Sequence, residues 1–159
     1  MDMMQDVVNF HVKFDHGAGL KPRVLPTDLF TFRSGFHHEE INEYDKEQEV
    51  LEDERLKPLL SQNADVIIAA LDKQLDALCD AAWVILGTAE VQFGADRFRE
   101  AWRRVVVANM AKVRSDAGVE GCVETGRIAK FDIVKPPGWT APNHKDLVWA
   151  YAPLDRDET

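Results

Sequence analysis

Cysteine is scarce in this chain, and Cys79 and Cys122 are the only two among its 159 residues. Two cysteines make neither a disulfide framework nor the repeated spacing of a zinc site. Cys79 stands in an apolar, helix-forming stretch, so it is predicted to be a small buried hydrophobe. No thiol chemistry is predicted.

Long hydrophobic runs are missing as well. The longest apolar run, residues 81–89, is far shorter than the roughly 20 residues that span a bilayer. Residues 1–9 lack the basic start and apolar run of a signal peptide. We therefore expect no membrane partner and a cytoplasmic location, which is the host cytoplasm if the chain is phage-encoded.

Positive charge is in short supply, with 19 Lys and Arg against 28 Asp and Glu and a net charge of -9. This balance argues against nucleic-acid binding, which needs a basic patch. The excess acid lies in residues 1–90, with 18 acidic against 8 basic side chains; residues 91–159 carry 10 against 11. The first part therefore suits a site that collects cations, and the second part can meet phosphate.

Helical spacing dominates the rest of the pattern. It predicts helices at about 4–14, 27–55, 62–92 and 95–114, with Thr27 as the N-cap of the second. Glycine and proline after residue 115 predict irregular structure with a small hairpin within 123–131, and the tail at about 155–159 is predicted to be disordered. The chain is thus predicted to be all-α, one domain over 1–159, with a short irregular or hairpin C-terminal segment.

Carboxylates continue an apolar stripe on the second helix. Leu29, Phe32 and Phe36 are spaced by three and four, and Glu40 and Glu43 follow at the same spacing. The usual alternative, a solvated Glu-rich face, fits the later turns of this helix better than it fits these two. We therefore expect Glu40 and Glu43 to face another element.

The third helix carries a second pair of carboxylates beside its predicted core face. That core face consists of Ile67, Leu71, Leu75, Leu78, Ala82, Ile85 and Ala89. Asp76, Asp80 and Trp83 form the neighbouring ridge, and Asp80 is surrounded in sequence by apolar residues. A salt bridge to a basic residue of another helix is the open alternative for Asp80, and a core position is the alternative for Trp83.

Four carboxylates brought together need a cation to stay ionised. Oxygen ligands select a hard ion such as Mg²⁺ or Mn²⁺, which is commonly shared with substrate phosphates, so phosphoryl or nucleotidyl chemistry is indicated. A di-iron bundle would need Glu-x-x-His, a zinc hydrolase more histidines, and a P-loop a Gly-rich Lys-Ser/Thr motif; none is present. His37 and His38 are adjacent and point to different faces, so helix-surface positions remain an alternative for both.

Five features in order resemble the MazG-like all-α NTP pyrophosphohydrolases. They are Phe10-His11; Pro26-Thr27; Glu39-Glu40-x-x-Glu43 with Asp76-x-x-x-Asp80-Ala-Ala-Trp83; Asn109-Met110-Ala111-Lys112; and a closing element from Gly126-Arg127 to Lys135-Pro136-Pro137-Gly138-Trp139. The likeness covers about residues 6–142. It is greatest to the small phage-type members, the MazZ-like dGTP/dATP pyrophosphohydrolases. It implies a MazG-like helical bundle completed by homo-oligomerisation, as a dimer or a dimer of dimers.

The resemblance implies Mg²⁺-dependent cleavage between the α and β phosphates of a nucleoside triphosphate, with Mn²⁺ able to substitute. By position, Glu40, Glu43 and Asp80 match metal ligands with catalytic roles, and Glu39 matches a residue that orients water or acts as a base. The family's Glu three residues before Asp80 is Ala77 here. Asp76 is the expected substitute ligand.

The resemblance also implies the substrate contacts. Asn109 and Lys112 match phosphate-binding positions, and Lys135 is assigned to the substrate with them. His11, Phe14 and Trp83 are candidates for holding the base, although His11 can also be a surface or partly buried histidine. A purine dNTP is expected, with dGTP preferred and dATP second, in a role that adjusts phage or cellular nucleotide pools. The alternatives are a house-cleaning hydrolase of non-canonical dNTPs and a catalytically silent helical oligomerisation module.

Overall fold

The computed structural model describes residues 2–16, 21–114 and 133–149. These residues are predominantly helical, which confirms the predicted all-α class. The chain divides into two compact units, Met1–Ala95 with Ala150–Thr159 and Asp96–Trp149, and each is described by itself. The hairpin predicted within 123–131 and the tail at 155–159 lie outside the described residues. The single domain and its assembly with other copies stay predictions.

The first unit is built on a hairpin of two long helices. Helix α1 is Met3–Lys13, α2 is Thr27–Leu56 and α3 is Ala64–Phe93, with a 3₁₀ turn at Leu59–Ser61 between α2 and α3. The long helices have 30 residues each, so each is about 45 Å long. They run antiparallel: Glu47, late in α2, pairs with Lys73, early in α3, whereas His37, early in α2, meets Thr88, late in α3. Helix α1 packs on α3.

The turn between α2 and α3 is fixed by two side chains. Asn63 is the N-cap of α3 and accepts hydrogen bonds from the N–H groups of Asp65 and Val66. Its own N–H donates to Glu54 Oε2 at 2.9 Å. This hydrogen bond, and then the bonded Lys57, lowers the pKa of Glu54. The connection is therefore held from both helices.

The predicted N-cap of α2 is wrong. Pro26 occupies the cap position in an extended conformation, with no side-chain cap, and its carbonyl accepts from Phe30 N–H at 2.8 Å. Thr27 is already helical, because proline fixes its own φ and lets the next residue start the helix. The Thr27 carbonyl instead accepts from the Thr31 hydroxyl at 2.8 Å.

The predicted core faces of α2 and α3 are also largely wrong, although Ala89 of the α3 face is buried as predicted. Phe32 is 61% exposed, and Leu71 and Leu75 are 51% and 63% exposed. The α3 face that packs against α2 instead carries small or polar buried residues: Ala70, Gln74, Ala77 and Ala81. Alanines let the two backbones approach closely, and polar side chains of α2 close the interface with hydrogen bonds such as Gln74 Nε2 to Gln48 Oε1 at 3.1 Å.

The ridge of larger apolar residues on α3 is therefore turned away from α2. Cys79 lies on this side of the helix and is exposed, so the prediction of a buried cysteine is wrong too. Leu78 and Ile85 are each 49% exposed. Hydrophobic spacing located the helix correctly but wrongly predicted that its apolar face is buried in the core.

Helix α4 is Ala95–Met110, and from Asp96 onward it belongs to the second unit. A two-residue antiparallel ladder follows, β1 Val113–Arg114 with β2 Ile133–Val134, and then a short helix α5, Lys145–Val148. The predicted helix at 95–114 thus ends four residues early, because Val113 and Arg114 pair as a strand. Arg104 joins α4 to α5 through two hydrogen bonds to Asp146, at 2.6 and 2.7 Å.

No helix among the described residues has both the length and the apolar character needed to cross a membrane.

Candidate functional site

A pocket of about 380 Å³ opens between α1, α2 and α3. Aromatic side chains make up one part of its lining: Phe10, Phe32, Phe36 and Trp83. Charged and imidazole groups make up another: His11, His16, Arg33, Glu40 and Asp80. The pocket therefore joins an apolar wall to an acidic edge, the combination expected where a planar ring and an ionic group are bound together.

The acidic edge consists of Glu40 and Asp80, and the other three predicted carboxylates, Glu39, Glu43 and Asp76, lie close enough to Glu40 to act on it electrostatically. Burial raises the pKa of Glu40, and the negative charges of Asp80, Glu43, Glu39 and Asp76 raise it further. Glu40 is half-buried and the other four are exposed. The structure thus brings the α2 and α3 carboxylates together, but Glu43 is exposed and does not lie on the buried stripe that its spacing predicted.

The donor set suits a hard divalent cation, because all five groups present oxygen and repel one another. In residues 2–16, 21–114 and 133–149, no three His, Cys, Asp or Glu side chains are arranged so that they could hold a metal ion. Burial is the main cause of the raised pKa of Glu40, and the four neighbouring carboxylates add electrostatic repulsion to it. A cation drawn in among these side chains would relieve that repulsion.

The aromatic wall is made by contacts between helices as well as within them. Phe10 of α1 meets Trp83 of α3 edge to face, with ring centroids 5.3 Å apart, and Phe32 meets Phe36 at 4.7 Å. Trp83 is 38% exposed, so it is available to a ligand. Phe14 is placed differently: it packs on Phe10 at 4.6 Å and supports the wall from behind.

His11 lies at the floor of the pocket and is buried. Its Nδ1 is 2.5 Å from Glu90 Oε2, and the two residues are 5% and 2% exposed. A carboxylate accepts, so the proton of this hydrogen bond is assigned to Nδ1, and Nε2 is left for the pocket side. His11 is thus a buried residue hydrogen-bonded to Glu90, and not the surface histidine of the alternative interpretation.

The two adjacent histidines of α2 take different environments, as their spacing predicted. His37 Nε2 lies 3.2 Å from the Thr88 hydroxyl in the half-buried space between α2 and α3. His38 is exposed and its Nδ1 lies 2.7 Å from the Ser34 carbonyl. Neither of them lines the pocket.

Three predicted phosphate contacts belong to the second unit. Asn109 is exposed near the end of α4. Lys112 and Lys135 come together at Trp139, with their ammonium groups 5.7 and 4.6 Å from the ring centroid. The Trp139 ring is held in turn by a hydrogen bond from Nε1 to the Ala108 carbonyl at 2.7 Å. The structure therefore groups the two lysines, within their own unit.

Sequence reasoning missed the polar floor of the pocket. Arg33 and Gly87 line it, and Glu90 lies directly beneath His11. A signal for the first two was present: Arg33 is seven residues before Glu40, and Gly87 is seven residues after Asp80. Seven residues are two helical turns, so each shares a face with its carboxylate. Glu90 could not be found this way, because only the packing of α1 on α3 pairs it with His11.

Compared with known protein families and with curated proteins, the chain has no match.

Proposed function

We propose that this chain is a Mg²⁺-dependent nucleoside triphosphate pyrophosphohydrolase of the MazG-like kind, acting on a purine dNTP. One observation carries the proposal: Glu40 of α2 and Asp80 of the antiparallel α3 line one edge of an aromatic pocket, with further carboxylates of both helices within electrostatic reach of Glu40. A nucleotide has the matching halves, a planar base for the aromatic wall and phosphates for a cation at the carboxylates. The products are the dNMP and pyrophosphate.

Each group at the site has a separate task. Glu40, Glu43, Asp76 and Asp80 would hold the cation, which when bound neutralises charge on the phosphates and polarises the phosphorus centre. Glu39, on the same helix and within electrostatic reach of Glu40, positions the attacking water and accepts its proton. The aromatic side chains hold the base and keep water from that side of the ligand.

Turnover is the direct test. Purified protein with Mg²⁺ is expected to release dNMP and pyrophosphate from a dNTP, and Glu43→Gln and Asp80→Asn are each expected to reduce the rate to background. The exposed Glu49 lies farther along α2, so Glu49→Gln serves as the matched control and retains wild-type turnover. All variants should keep the helical circular dichroism of the wild type.

Two results contradict the proposal in different places. If no dNTP is hydrolysed by pure protein, the proposed activity is wrong. If the activity is present but Glu43→Gln or Asp80→Asn remains fully active, the ligand assignment is wrong. Faster turnover of oxidised or deaminated dNTPs than of ordinary ones would favour the house-cleaning alternative.

The silent oligomerisation module is separated by ligand binding. Mn²⁺ with a non-hydrolysable dNTP, at about 100 times its Kd, should stabilise a binding protein by about 2.7 kcal/mol. For a chain of this length this raises Tm by roughly 5–10 °C. A silent module, whose carboxylates serve only the fold, would show no such shift.

The exposed apolar ridge of α3 supports the proposed homo-oligomer. Leu71, Leu75, Leu78 and Ile85 recur at helical spacing and are each about half exposed or more in the single chain. A continuous apolar face of this kind is rarely left in water by a stable soluble protein. A second copy of the chain, as a dimer or within a dimer of dimers, would cover it.

A further inference from the structure

The floor of the pocket is a compact group of three charged or ionisable side chains around a glycine. His11 and Glu90 form the buried pair, and the Arg33 side chain reaches the same place from α2. A Cβ atom on Gly87 would lie 3.3 Å from Arg33 Nη1 and 3.4 Å from His11 Nε2. Gly87 thus leaves the space in which the guanidinium and the imidazole approach each other beneath the pocket.

Arg33 is held in this group without a full set of partners. Its Nε is buried and, among the residues that the structure describes, has no hydrogen-bond partner. Burial lowers the pKa of Arg33, against the opposing attraction of Glu90, and the nearby Arg23 lowers it further. Glu90 Oε2 already accepts a hydrogen bond from His11 Nδ1. A guanidinium carries only donors, so an acceptor from a ligand would complete the site.

The position of Arg33 assigns it to the base and not to the phosphates. Arg33 and Glu40 are seven residues apart on α2, which is about 10 Å along the helix. The aromatic rings of Phe32 and Phe36 lie on the same stretch of helix and line the pocket with it. A ligand whose phosphates meet the carboxylates at one end therefore presents its base at the end where Arg33 lies.

We propose that Arg33 is the residue that selects the base, by donating two hydrogen bonds to the oxygen and ring nitrogen of a 6-oxopurine edge. This inference rests on the proposed function for the identity of the ligand as a purine nucleotide. Guanine presents two acceptors there, O6 and N7, whereas adenine presents the N6 amino donor beside N7. The guanidinium, which only donates, can therefore pair with O6 and N7 of guanine. With adenine, one of its N–H groups would face the N6 amino donor. Glu90 is a positioning residue, since it neutralises the floor and fixes His11 beside the guanidinium.

The experiment compares kcat/KM for four triphosphates: dGTP, dITP, dATP and the 2,6-diaminopurine dNTP. If Arg33 reads the 6-oxo edge, dGTP and dITP are both preferred, by about ten- to a hundredfold, the discrimination typical of one bidentate arginine–purine pair. The 2-amino group has no effect, so the diaminopurine substrate falls with dATP. A preference that follows the 2-amino group instead would overturn the proposal.

Substitution of Arg33 should remove this preference without removing activity. Arg33→Met is expected to bring dGTP and dATP within about threefold of each other, through a higher KM for dGTP and little change in kcat. Arg33→Lys keeps a positive charge beside Glu90, which protects the fold, but loses the planar pair of donors; it should also lose most of the preference. The control is Arg55→Met at the far end of α2, where Arg55 is exposed and paired with Glu52. An unchanged dGTP:dATP ratio in folded Arg33→Lys overturns the inference.

Failure of the inference and failure of the proposed function give different results. If the enzyme hydrolyses dNTPs and the dGTP:dATP ratio of kcat/KM does not change when Arg33 is substituted, only the inference is wrong. If no dNTP is hydrolysed, the proposed activity falls, and the inference is then decided by calorimetric binding of dGMP and dAMP. Binding of dGMP about tenfold or more tighter than dAMP, lost in Arg33→Lys, supports the reader role of Arg33. Equal binding of the two monophosphates overturns it.

Discussion

The buried pair of His11 and Glu90 provides a quantitative test of the pocket floor. Glu90 is 2% exposed and its Oε2 is 2.5 Å from His11 Nδ1. We expect Glu90→Leu to lower the free energy of unfolding by about 3–5 kcal/mol, the usual effect of removing one partner of a buried ion pair. For a chain of this size, that corresponds to a decrease in Tm of roughly 6–20 °C.

The neighbours of the pair predict an asymmetry. When Glu90 is removed, His11 loses its acceptor, and Arg33 and Arg23 face each other without the negative charge that offsets them. When His11 is removed, Glu90 keeps the attraction of Arg33. His11→Leu should therefore destabilise the chain less than Glu90→Leu does. The double variant should recover only the part of the loss that comes from the unpaired His11, because Arg33 and Arg23 still lack the negative charge of Glu90.

Urea unfolding at neutral pH and fixed protein concentration measures these differences. Helical circular dichroism follows the unfolding of the chain. Arg55→Met is the control: Arg55 pairs with Glu52 and the two side chains are 70% and 45% exposed, so a change below about 1 kcal/mol is expected. A loss below 1 kcal/mol for Glu90→Leu, or a double variant as unstable as the single one, would refute the reasoning.

Two further predictions concern the second unit and assembly. Arg104 lowers the pKa of Asp146 from 3.8 to about 2, and Arg103 with Arg104 lowers that of Glu100 from 4.5 to about 2. These depressed pKa values stabilise the folded unit above pH 4.5, and the contribution is lost as pH falls through about 2. The Trp139 indole N–H resonance should report this loss, and the Asp146→Asn variant should show a weaker pH dependence of that resonance. An acid transition unchanged in Asp146→Asn would contradict the ion-pair account. For assembly, light scattering should give a multiple of the 18.0 kDa chain mass, and Leu75→Glu should shift the protein toward monomer while the exposed control Asp72→Asn does not. A wild-type protein that is monomeric at micromolar concentration would contradict the proposed homo-oligomer.

Local information was enough to place the helices. Pro26 before α2, Asn63 at the start of α3 and Gly94 at its end act within a few residues of chain. The positive φ of 83° at Gly94 ends α3 between the two helices that the sequence predicted at 62–92 and 95–114. The same local spacing placed Glu40 with Glu43 and Asp76 with Asp80. Helical spacing therefore predicted which carboxylates lie close together, although it did not predict that Glu43 is exposed.

The sequence by itself determined the helical elements and the acidic character of the site, because both follow from spacing and charge along one helix. Only the tertiary structure decided which face each helix buries. Small alanines of α3 allow a closer approach to α2 than its leucines would, so the apolar ridge that spacing assigned to the core is left outside. Only the packing of α1 on α3 could pair His11 with Glu90, since residues 79 positions apart carry no joint signal in the chain. The charged floor beneath the carboxylates that the sequence singled out is thus a product of tertiary contact.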